Sequence, residues 1–267
     1  MISNCGKDEN GKYTGGYAGD QTGKEWHIIP WYNRPWDCVL RYPDESVGKL
    51  ISKIARASAK NDNIGYDQWQ RLTFWEELKK VDYGARKITN KCEADCSAGV
   101  CSIVKAVGYR KGLKNLQQIP ITTTHYMRDY FKTLGFEVLT DSKYLTSDDY
   151  LLPGDILLNI NSHTATNLDY GKKVKNRKVI VKTKKAPCRN KPSTIGIKKA
   201  VFSQGRKLQL LEKNGNWYKV KGKQDGKNIT GYIYAKRLEE IWYDFARRCT
   251  RIEKGFWWPL CDAEWLW

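Results

Sequence analysis

The chain has 267 residues and lacks several features that would assign it to a common class. No apolar run approaches the roughly 20 residues that a transmembrane helix needs, which excludes insertion into a bilayer. The amino terminus has no apolar stretch typical of a secretory signal, so we expect synthesis in the cytoplasm without export by the general route. No segment contains the Gly-Lys-Ser or Gly-Lys-Thr that a phosphate-binding loop requires.

Cysteine and histidine are both scarce, which limits the number of candidate nucleophiles and bases. Eight Cys without a repeating pattern are far fewer than a disulfide-stapled secreted domain carries, so we expect reduced thiols. Three imidazoles are present in the sequence, those of His27, His125 and His163. A reaction that needs a histidine base must use one of these three.

The chain does contain many apolar and aromatic residues, together with a large positive charge. A hydrophobic share of 40% and 11 Trp exclude a disordered chain, and the length suggests one or two domains. Residues 171–240 hold 21 basic and 4 acidic residues, a net +17 out of the total of +18. So dense a charge indicates a polyanionic partner: nucleic acid, an anionic membrane or the phosphate-rich polymers of a Gram-positive wall.

The hydrophobic period changes near the start of the basic segment. Residues 1–170 show helices followed by strands, an α+β order, whereas residues 179–240 show short strands and turns, which predicts a small all-β barrel. The Lys-rich residues 171–178 form the predicted linker. Five Trp in residues 241–267 predict a tail that packs back on a domain, with stacking on sugar rings as the alternative.

Apolar spacing predicts four helices in the first domain, and turn residues predict the strands that follow. The helices span Ser46–Lys60 with Ser46 as N-cap, Tyr66–Lys80, Asp95–Val107 and Thr123–Leu134. The strands span Phe136–Leu139 and Ile156–Ile160, and a third strand begins at His163 after a bend.

Cys96 is a candidate nucleophile because of its place in the third predicted helix. With Asp95 as N-cap, the sulfur lies in the first turn, where the helix dipole lowers a thiol pKa and free N–H groups can hold an oxyanion. His163 begins a strand that would hold its ring rigidly, whereas His125 suits a surface or capping role and His27 has no evident partner. Spacing alone leaves a reactive Cys96 and His163 pair open against a buried structural Cys and an edge-strand His.

Metal and cofactor chemistry find little support in the sequence. Cys92 and Cys101 flank Cys96, but this spacing lacks a fourth ligand and is poor for zinc. We therefore expect no metal and no cofactor, with Cys101 in the core.

Four segments together resemble phage-type members of the NlpC family of cysteine peptidases, over about residues 15–166. They are GYAGDQTGKEW at 16–26, WYNRPWDCVLR at 31–41, Asp95-Cys96-Ser97, and Gly154–Leu158 followed by His163-Thr164-Ala165. The resemblance implies a papain-like fold, in which the nucleophile opens a helix packed on an antiparallel sheet that carries the histidine. It also implies hydrolysis of an amide bond in peptidoglycan stem peptides, commonly between D-Glu and the diamino acid, with Cys96 as nucleophile and His163 as base.

The family places a polar residue on the strand after the histidine to orient its ring. Asn167 is the first candidate for this position, with Asp169 and Asn176 as alternatives. Substrate contacts are expected from six residues near the early Trp-rich segments and the nucleophile: Asp20, Gln21, Glu25, Trp36, Asp95 and Ser97.

The early segments also allow a purely structural interpretation. In that alternative, Trp31 and Trp36 cap the core, while Arg34 and Arg41 pair with surface carboxylates.

Residues 179–240 resemble a bacterial SH3-type domain through Gly215–Val220 (GNWYKV) and Gly231–Tyr234 (GYIY). Ala186–Arg189 departs from the family's asparagine-containing strand. The resemblance implies a module that docks a peptidase onto the cell wall. A spacer barrel with a basic surface is the alternative.

Taken together, these features predict a wall hydrolase of the endolysin type that meets peptidoglycan and anionic wall polymers after release through a holin. An N-acetylmuramoyl-L-alanine amidase with the same Cys and His machinery is the alternative enzyme. A non-enzymatic binder of nucleic acid is the alternative from another class, although no recognised nucleic-acid motif is present.

Overall fold

The computed structural model describes residues 1–174 and 177–241. The predicted packing of the Trp-rich tail and the candidate Asn176 lie outside the described residues. Within those ranges, no helix has the length and apolar character needed to span a membrane. The six cysteines in the described ranges are free thiols, as predicted.

Eight strands and six helices make up the first domain as described. The strands are β1 (Ile2–Cys5), β2 (Trp26–Ile29), β3 (Cys38–Arg41), β4 (Ile64–Tyr66), β5 (Cys92–Ala94), β6 (Glu137–Leu139), β7 (Ile156–Asn159) and β8 (His163–Asn167). The helices are α1 (Glu45–Ser58), α2 (Thr73–Lys80), α3 (Cys96–Lys111), α4 (Lys114–Gln117), α5 (Thr124–Thr133) and α6 (Ser142–Leu145).

A six-stranded antiparallel sheet in the order β2-β1-β8-β7-β3-β6 forms the base of this domain. α3 packs on the sheet through β8 and β1. Small residues in its first turns allow this close packing: a Cβ at Gly99 would lie 2.8 Å from the Trp26 ring. The predicted α+β class, with a helix packed on an antiparallel sheet, is confirmed.

Two of the predicted helices begin elsewhere. α1 is capped by Asp44, whose carboxylate accepts the N–H of Ser46 at 2.8 Å, so Ser46 is not the N-cap. The helix predicted from Tyr66 is wrong in its first half, because Asp67 accepts the N–H of Trp69 at 2.6 Å and forms a turn there. Trp69 is consequently 79% exposed rather than in the core.

The second domain is a barrel-like sheet of seven strands in the order β11-β10-β14-β13-β12-β9-β15. The strands are β9 (Lys178–Val181), β10 (Lys185–Arg189), β11 (Lys198–Ser203), β12 (Lys207–Asn214), β13 (Trp217–Gln224), β14 (Lys227–Tyr234) and β15 (Leu238–Ile241). Asp225 and Gly226 join β13 to β14 with φ angles of 50° and 74°, the backbone that a two-residue hairpin turn requires. The predicted all-β region is confirmed.

An ion pair joins the two domains inside the segment predicted as a linker. Arg177 is 8% exposed and donates to both carboxylate oxygens of Glu45, at 2.5 and 3.0 Å. Tyr170 also donates to Glu45, and Lys49 on α1 forms an ion pair with Glu212 on β12 at 2.8 Å. The barrel therefore contacts α1 through buried and half-buried charges.

Candidate active site

Cys96 opens the long central helix of the first domain. The Asp95 carboxylate caps α3 by accepting the N–H of Ala98 at 2.7 Å. Cys96 is only 8% exposed, and its sulfur accepts hydrogen bonds from the backbone N–H groups of Thr164 and Ser97. Thr164 directly follows His163 on β8. The sulfur therefore touches the histidine-bearing strand at the start of the helix.

Arg71 lies beside the first turn of α3 and binds three groups there. Its Nε lies 2.6 Å from Oδ2 of Asp95, as an ion pair without hydrogen-bond alignment. The same guanidinium donates to Ser97 Oγ at 3.0 Å and to the Thr122 carbonyl at 2.8 Å. Ser97 Oγ donates to Asp95 Oδ1 at 2.8 Å. Asp95 and Ser97 therefore have internal partners, which argues against either as a direct substrate contact.

The resting state of Cys96 at neutral pH is the thiol. Burial, followed by the negative charge of Asp95, raises its pKa from 9.0 to about 12. The two backbone N–H groups and the charge of Arg71 act in the opposite direction but do not prevail. The expectation that the helix terminus gives a lowered pKa is wrong for this structure, because desolvation outweighs the dipole.

His163 is held by a residue near the amino terminus. Its ring Nε2 lies 2.8 Å from Oδ1 of Asn4 on the neighbouring strand β1. An amide oxygen can only accept, so Nε2 carries the proton and Nδ1 keeps the lone pair that a base needs. Burial, with the positive charge of Arg34 as second cause, lowers the pKa of His163 from 6.5 to about 4. The ring is therefore a neutral imidazole at pH 7.

Asn167 does not contact the His163 ring, contrary to the prediction. Its amide donates to the carbonyls of Leu152 and Asp169, at 2.8 and 2.7 Å. The alternative, Asp169, forms an ion pair with Arg56 at 2.8 Å. Both side chains stabilise the chain as it leaves β8, so neither orients the ring.

Asn4 and Arg71 are the site residues that sequence reasoning missed. Asn4 lies on a strand of only four residues and reaches a partner 159 positions away in the chain. Arg71 lies in a segment predicted to be helical, so its turn toward α3 was not expected. Neither position carries a local sequence signal.

In the described residues, the Cys96 sulfur meets the backbone of β8 at Thr164, and the His163 ring packs against Trp36. In the described ranges no hydrogen bond joins Sγ of Cys96 to the His163 ring, and Nδ1 has no partner. Catalytic hydrogen bonds are often long before substrate binds. A thiol, a basic nitrogen and backbone N–H groups at a helix start are together the set that acyl transfer requires.

The loop before β2 carries Asp20, Gln21 and Glu25, and hydrogen bonds to these side chains hold it in shape. The Asp20 carboxylate accepts four N–H groups of its own loop, those of Thr22, Lys24, Glu25 and Trp26. Glu25 is 1% exposed and accepts the N–H groups of Gln21 and Tyr66. Gln21 is exposed, but its amide donates to the carbonyls of Ala18 and Gly19. These contacts fold the loop, and they argue against Asp20 and Glu25 as substrate ligands.

Trp36 packs beside the His163 ring rather than in an open cleft. It is 4% exposed, and its ring centroid lies 6.4 Å from that of His163. The structural alternative therefore fits Trp36 better than a substrate contact. Arg41 pairs at 2.5 Å with Asp155, a buried carboxylate rather than a surface one. Arg34 instead donates to the Ser162 hydroxyl at 2.7 Å.

The remaining thiols and imidazoles do not form a second centre in the described residues. Cys92 and Cys101 are buried, and no group of three or more His, Cys, Asp or Glu side chains there could hold a metal ion. His125 is exposed and hydrogen-bonds with Asn161 at 2.7 Å. His27 lies on β2, where its Nδ1 is buried without a partner in the described chain.

Comparison with known proteins assigns both domains to families. A family model described as endolysin-like domain matches residues 2–174, and one described as bacterial SH3 domain matches residues 184–239. No curated protein and no solved structure matches the chain. The first match covers well over half of the sequence, so the chain belongs to the endolysin-like domain family, with a bacterial SH3 domain following in the same chain.

Proposed function

We propose that this chain is a cysteine-type peptidoglycan hydrolase in which Cys96 is the nucleophile, His163 the base and Asn4 the residue that orients the base. The endolysin-like and SH3 matches support peptidoglycan hydrolysis as the activity. One observation carries the residue assignment. The backbone N–H of Thr164 donates to the Cys96 sulfur, and the residue that precedes Thr164 on β8 is His163, whose ring Nε2 lies 2.8 Å from Asn4 Oδ1.

The proposed reaction begins from two neutral groups. As Sγ of Cys96 attacks the amide carbonyl carbon, His163 Nδ1 takes the thiol proton, so that no free thiolate is needed beforehand. The carbonyl oxygen becomes an oxyanion, which backbone N–H groups at the start of α3 stabilise. His163 then gives its proton to the leaving nitrogen as the C–N bond breaks, and a thioester remains. Water attacks the thioester, His163 takes its proton, and the thiol is restored.

The proposed substrate is the amide bond between D-Glu and the diamino acid of a stem peptide. Support for this bond comes from the resemblance of the Asp95-Cys96-Ser97 and His163-Thr164-Ala165 segments to NlpC-type peptidases. The barrel has the complementary role of holding the enzyme on the wall. Its charge supports this, because residues 171–240 carry a net +17 and wall polymers are anionic.

The test of the nucleophile compares two cysteines on one helix. Cys96→Ala should reduce clearing of purified walls by about a thousandfold or more, because no other group can form the acyl-enzyme. Cys101→Ala, in which a buried thiol five positions further along α3 is removed, should retain clearing. Thermal unfolding of both variants checks the fold. Undiminished clearing by a folded Cys96→Ala variant would refute the mechanism.

Mass spectrometry of the released fragments identifies the bond. A new amino group on the diamino acid supports the proposal, whereas release of an intact stem peptide from muramic acid would show an amidase. A gel shift with DNA and RNA addresses the remaining alternative. Tight nucleic-acid binding without wall clearing would overturn the enzyme assignment.

A further inference from the structure

The barrel contains an open cavity of about 480 Å³ that the proposed chemistry does not use. This volume lies within the range of roughly 300–1,000 Å³ that small-ligand sites occupy. The cavity lies between the loop that follows β10 and the paired ends of β13 and β14. Its walls include Pro187, Pro192, Trp217 and Tyr234, and two cationic side chains reach it, Arg189 and Arg237.

The aromatic wall is a cross-strand pair. Trp217 opens β13 opposite Tyr234 at the end of β14, and their ring centroids lie 5.5 Å apart in an edge-to-face arrangement. Both rings are half-buried and line the cavity. Such a pair offers a rigid apolar surface at little conformational cost to the protein.

The two arginines are positioned by backbone carbonyls rather than by carboxylates. Arg189 donates from one terminal nitrogen to the Gly196 carbonyl at 2.6 Å, and Arg237 donates to the Lys185 carbonyl at 3.0 Å. Within residues 1–174 and 177–241, neither guanidinium forms an ion pair, and no Asp or Glu lines the cavity. Each guanidinium has five N–H donors, so both keep donors available for an anion.

We propose that this cavity binds a carboxylate-bearing peptide, with the arginines on the carboxylate and the Trp217–Tyr234 wall on the peptide backbone and side chains. This inference rests on the proposed wall-targeting function, in which the peptide is a peptidoglycan stem. Guanidinium forks match a carboxylate in bidentate geometry. A polyol phosphate of a wall polymer would also satisfy the charge, but it is hydrophilic throughout and would leave the aromatic and proline walls unused.

Exposed apolar residues beside the cavity support a peptide ligand. Ile195 and Ile197 lie on the loop that forms one wall and are 81% and 72% exposed. Apolar side chains so exposed next to a cavity are typical of a contact surface. A peptide that enters the cavity with its carboxylate can lie along this loop, whereas a free anion would not reach it.

The test uses the full chain carrying Cys96→Ala, so that peptide is bound without cleavage. Titration calorimetry compares a synthetic stem tetrapeptide, the same peptide with all carboxyls amidated, and glycerol phosphate. We expect binding of the acid peptide, at least tenfold weaker binding of the amidated peptide, and little binding of glycerol phosphate. Equal binding of acid and amidated peptides, or preferred binding of glycerol phosphate, would overturn the proposal.

A matched pair of double variants locates the site. Arg189→Gln with Arg237→Gln removes both cavity cations, whereas Lys223→Gln with Lys227→Gln removes two exposed charges at the distant β13–β14 turn. We expect at least tenfold weaker peptide binding only for the arginine pair. Equal losses would show a diffuse charge effect and overturn the cavity as the site.

A separate measurement distinguishes this inference from the function on which it rests. The variant with Arg189→Gln and Arg237→Gln should pellet less with purified walls than the variant with Lys223→Gln and Lys227→Gln. If both pellet equally and clear walls normally, the cavity assignment fails while the hydrolase stands. If the unmodified chain neither pellets with walls nor clears them, the proposed function itself fails.

Discussion

The two domains use arginine in opposite ways. In the first domain, Arg71 is surrounded by Asp95, Ser97 and the Thr122 carbonyl. In the barrel, Arg189 is fixed by one carbonyl and keeps its other donors toward an open cavity. The ion pair and hydrogen bonds of Arg71 hold the start of α3 in one geometry. Arg189 has no carboxylate partner in the described residues, so its charge stays available for a ligand. The same residue type thus holds a helix start in one domain and, as we propose, recognises a ligand in the other.

The largest effect is expected at His163, the proposed base. His163→Ala should lower kcat/KM by about 10²- to 10⁴-fold, because the thiol then has no proton acceptor. In the unmodified enzyme, kcat/KM should fall with decreasing pH around pH 4, since the pKa of His163 is lowered to about 4 by burial. Initial rates on a labelled stem peptide across pH 3–8 measure both. An acidic limb near pH 6.5 would contradict the buried, neutral ring.

Asn4 should give the next largest effect. Asn4→Ala should lower kcat by about a hundredfold, because a misplaced ring loses the productive geometry. Asn4→Asp places a negative charge against Nε2, which raises the pKa of His163, so the acidic limb of kcat/KM should move to higher pH. A residue with a purely structural role would change stability without moving that limb.

A smaller effect, on stability, distinguishes the two arginine environments directly. Arg71→Met should destabilise the chain by about 2 kcal/mol, because it leaves the buried Asp95 carboxylate without its cation. Arg189→Met should change the free energy of unfolding by less than about 1 kcal/mol, since no carboxylate depends on it. Urea unfolding of both variants gives the comparison. Equal costs would show that the two environments do not differ.

Local sequence signals predicted some parts of this arrangement well. Asp95 as the cap of α3 depends on residues within a few positions of it, so the local pattern contains the answer. The predicted order of helices followed by strands was wrong for the first half of the first domain, because the short strands β1 to β5 precede or separate the first three helices.

The parts that depend on distant contacts could not be predicted in this way. Asn4 meets His163 only because β1 inserts beside β8 in the sheet. The raised pKa of Cys96 follows from how much water the packing removes, and that is a property of the assembled fold. A helix start in the sequence indicates a dipole but does not indicate desolvation.

The smallest expected effect concerns Glu93, a buried carboxylate that forms no ion pair within the described residues. Burial raises the pKa of Glu93 from 4.5 to about 8, with Glu25 and Asp67 also raising it. A carboxyl whose pKa is raised by folding stabilises the protein fully below pH 4.5, and this stabilisation is lost as pH rises through 8. Glu93→Gln should therefore raise the melting temperature by a few degrees near pH 8 and have little effect near pH 4. Thermal unfolding at the two pH values tests this, and an equal shift at both would contradict it.

The Glu45–Arg177 ion pair has a consequence for how the enzyme works on a solid substrate. A catalytic domain joined to its wall-binding domain by a flexible linker could reach many bonds around each attachment point. Here the barrel, which we propose as the wall anchor, is joined to α1 by the buried Glu45–Arg177 pair and by Lys49–Glu212, so Cys96 stays at a fixed distance from the point of attachment. To reach new bonds, the chain must then detach from the wall and rebind. This favours a wall-binding domain that dissociates quickly over one with the highest affinity.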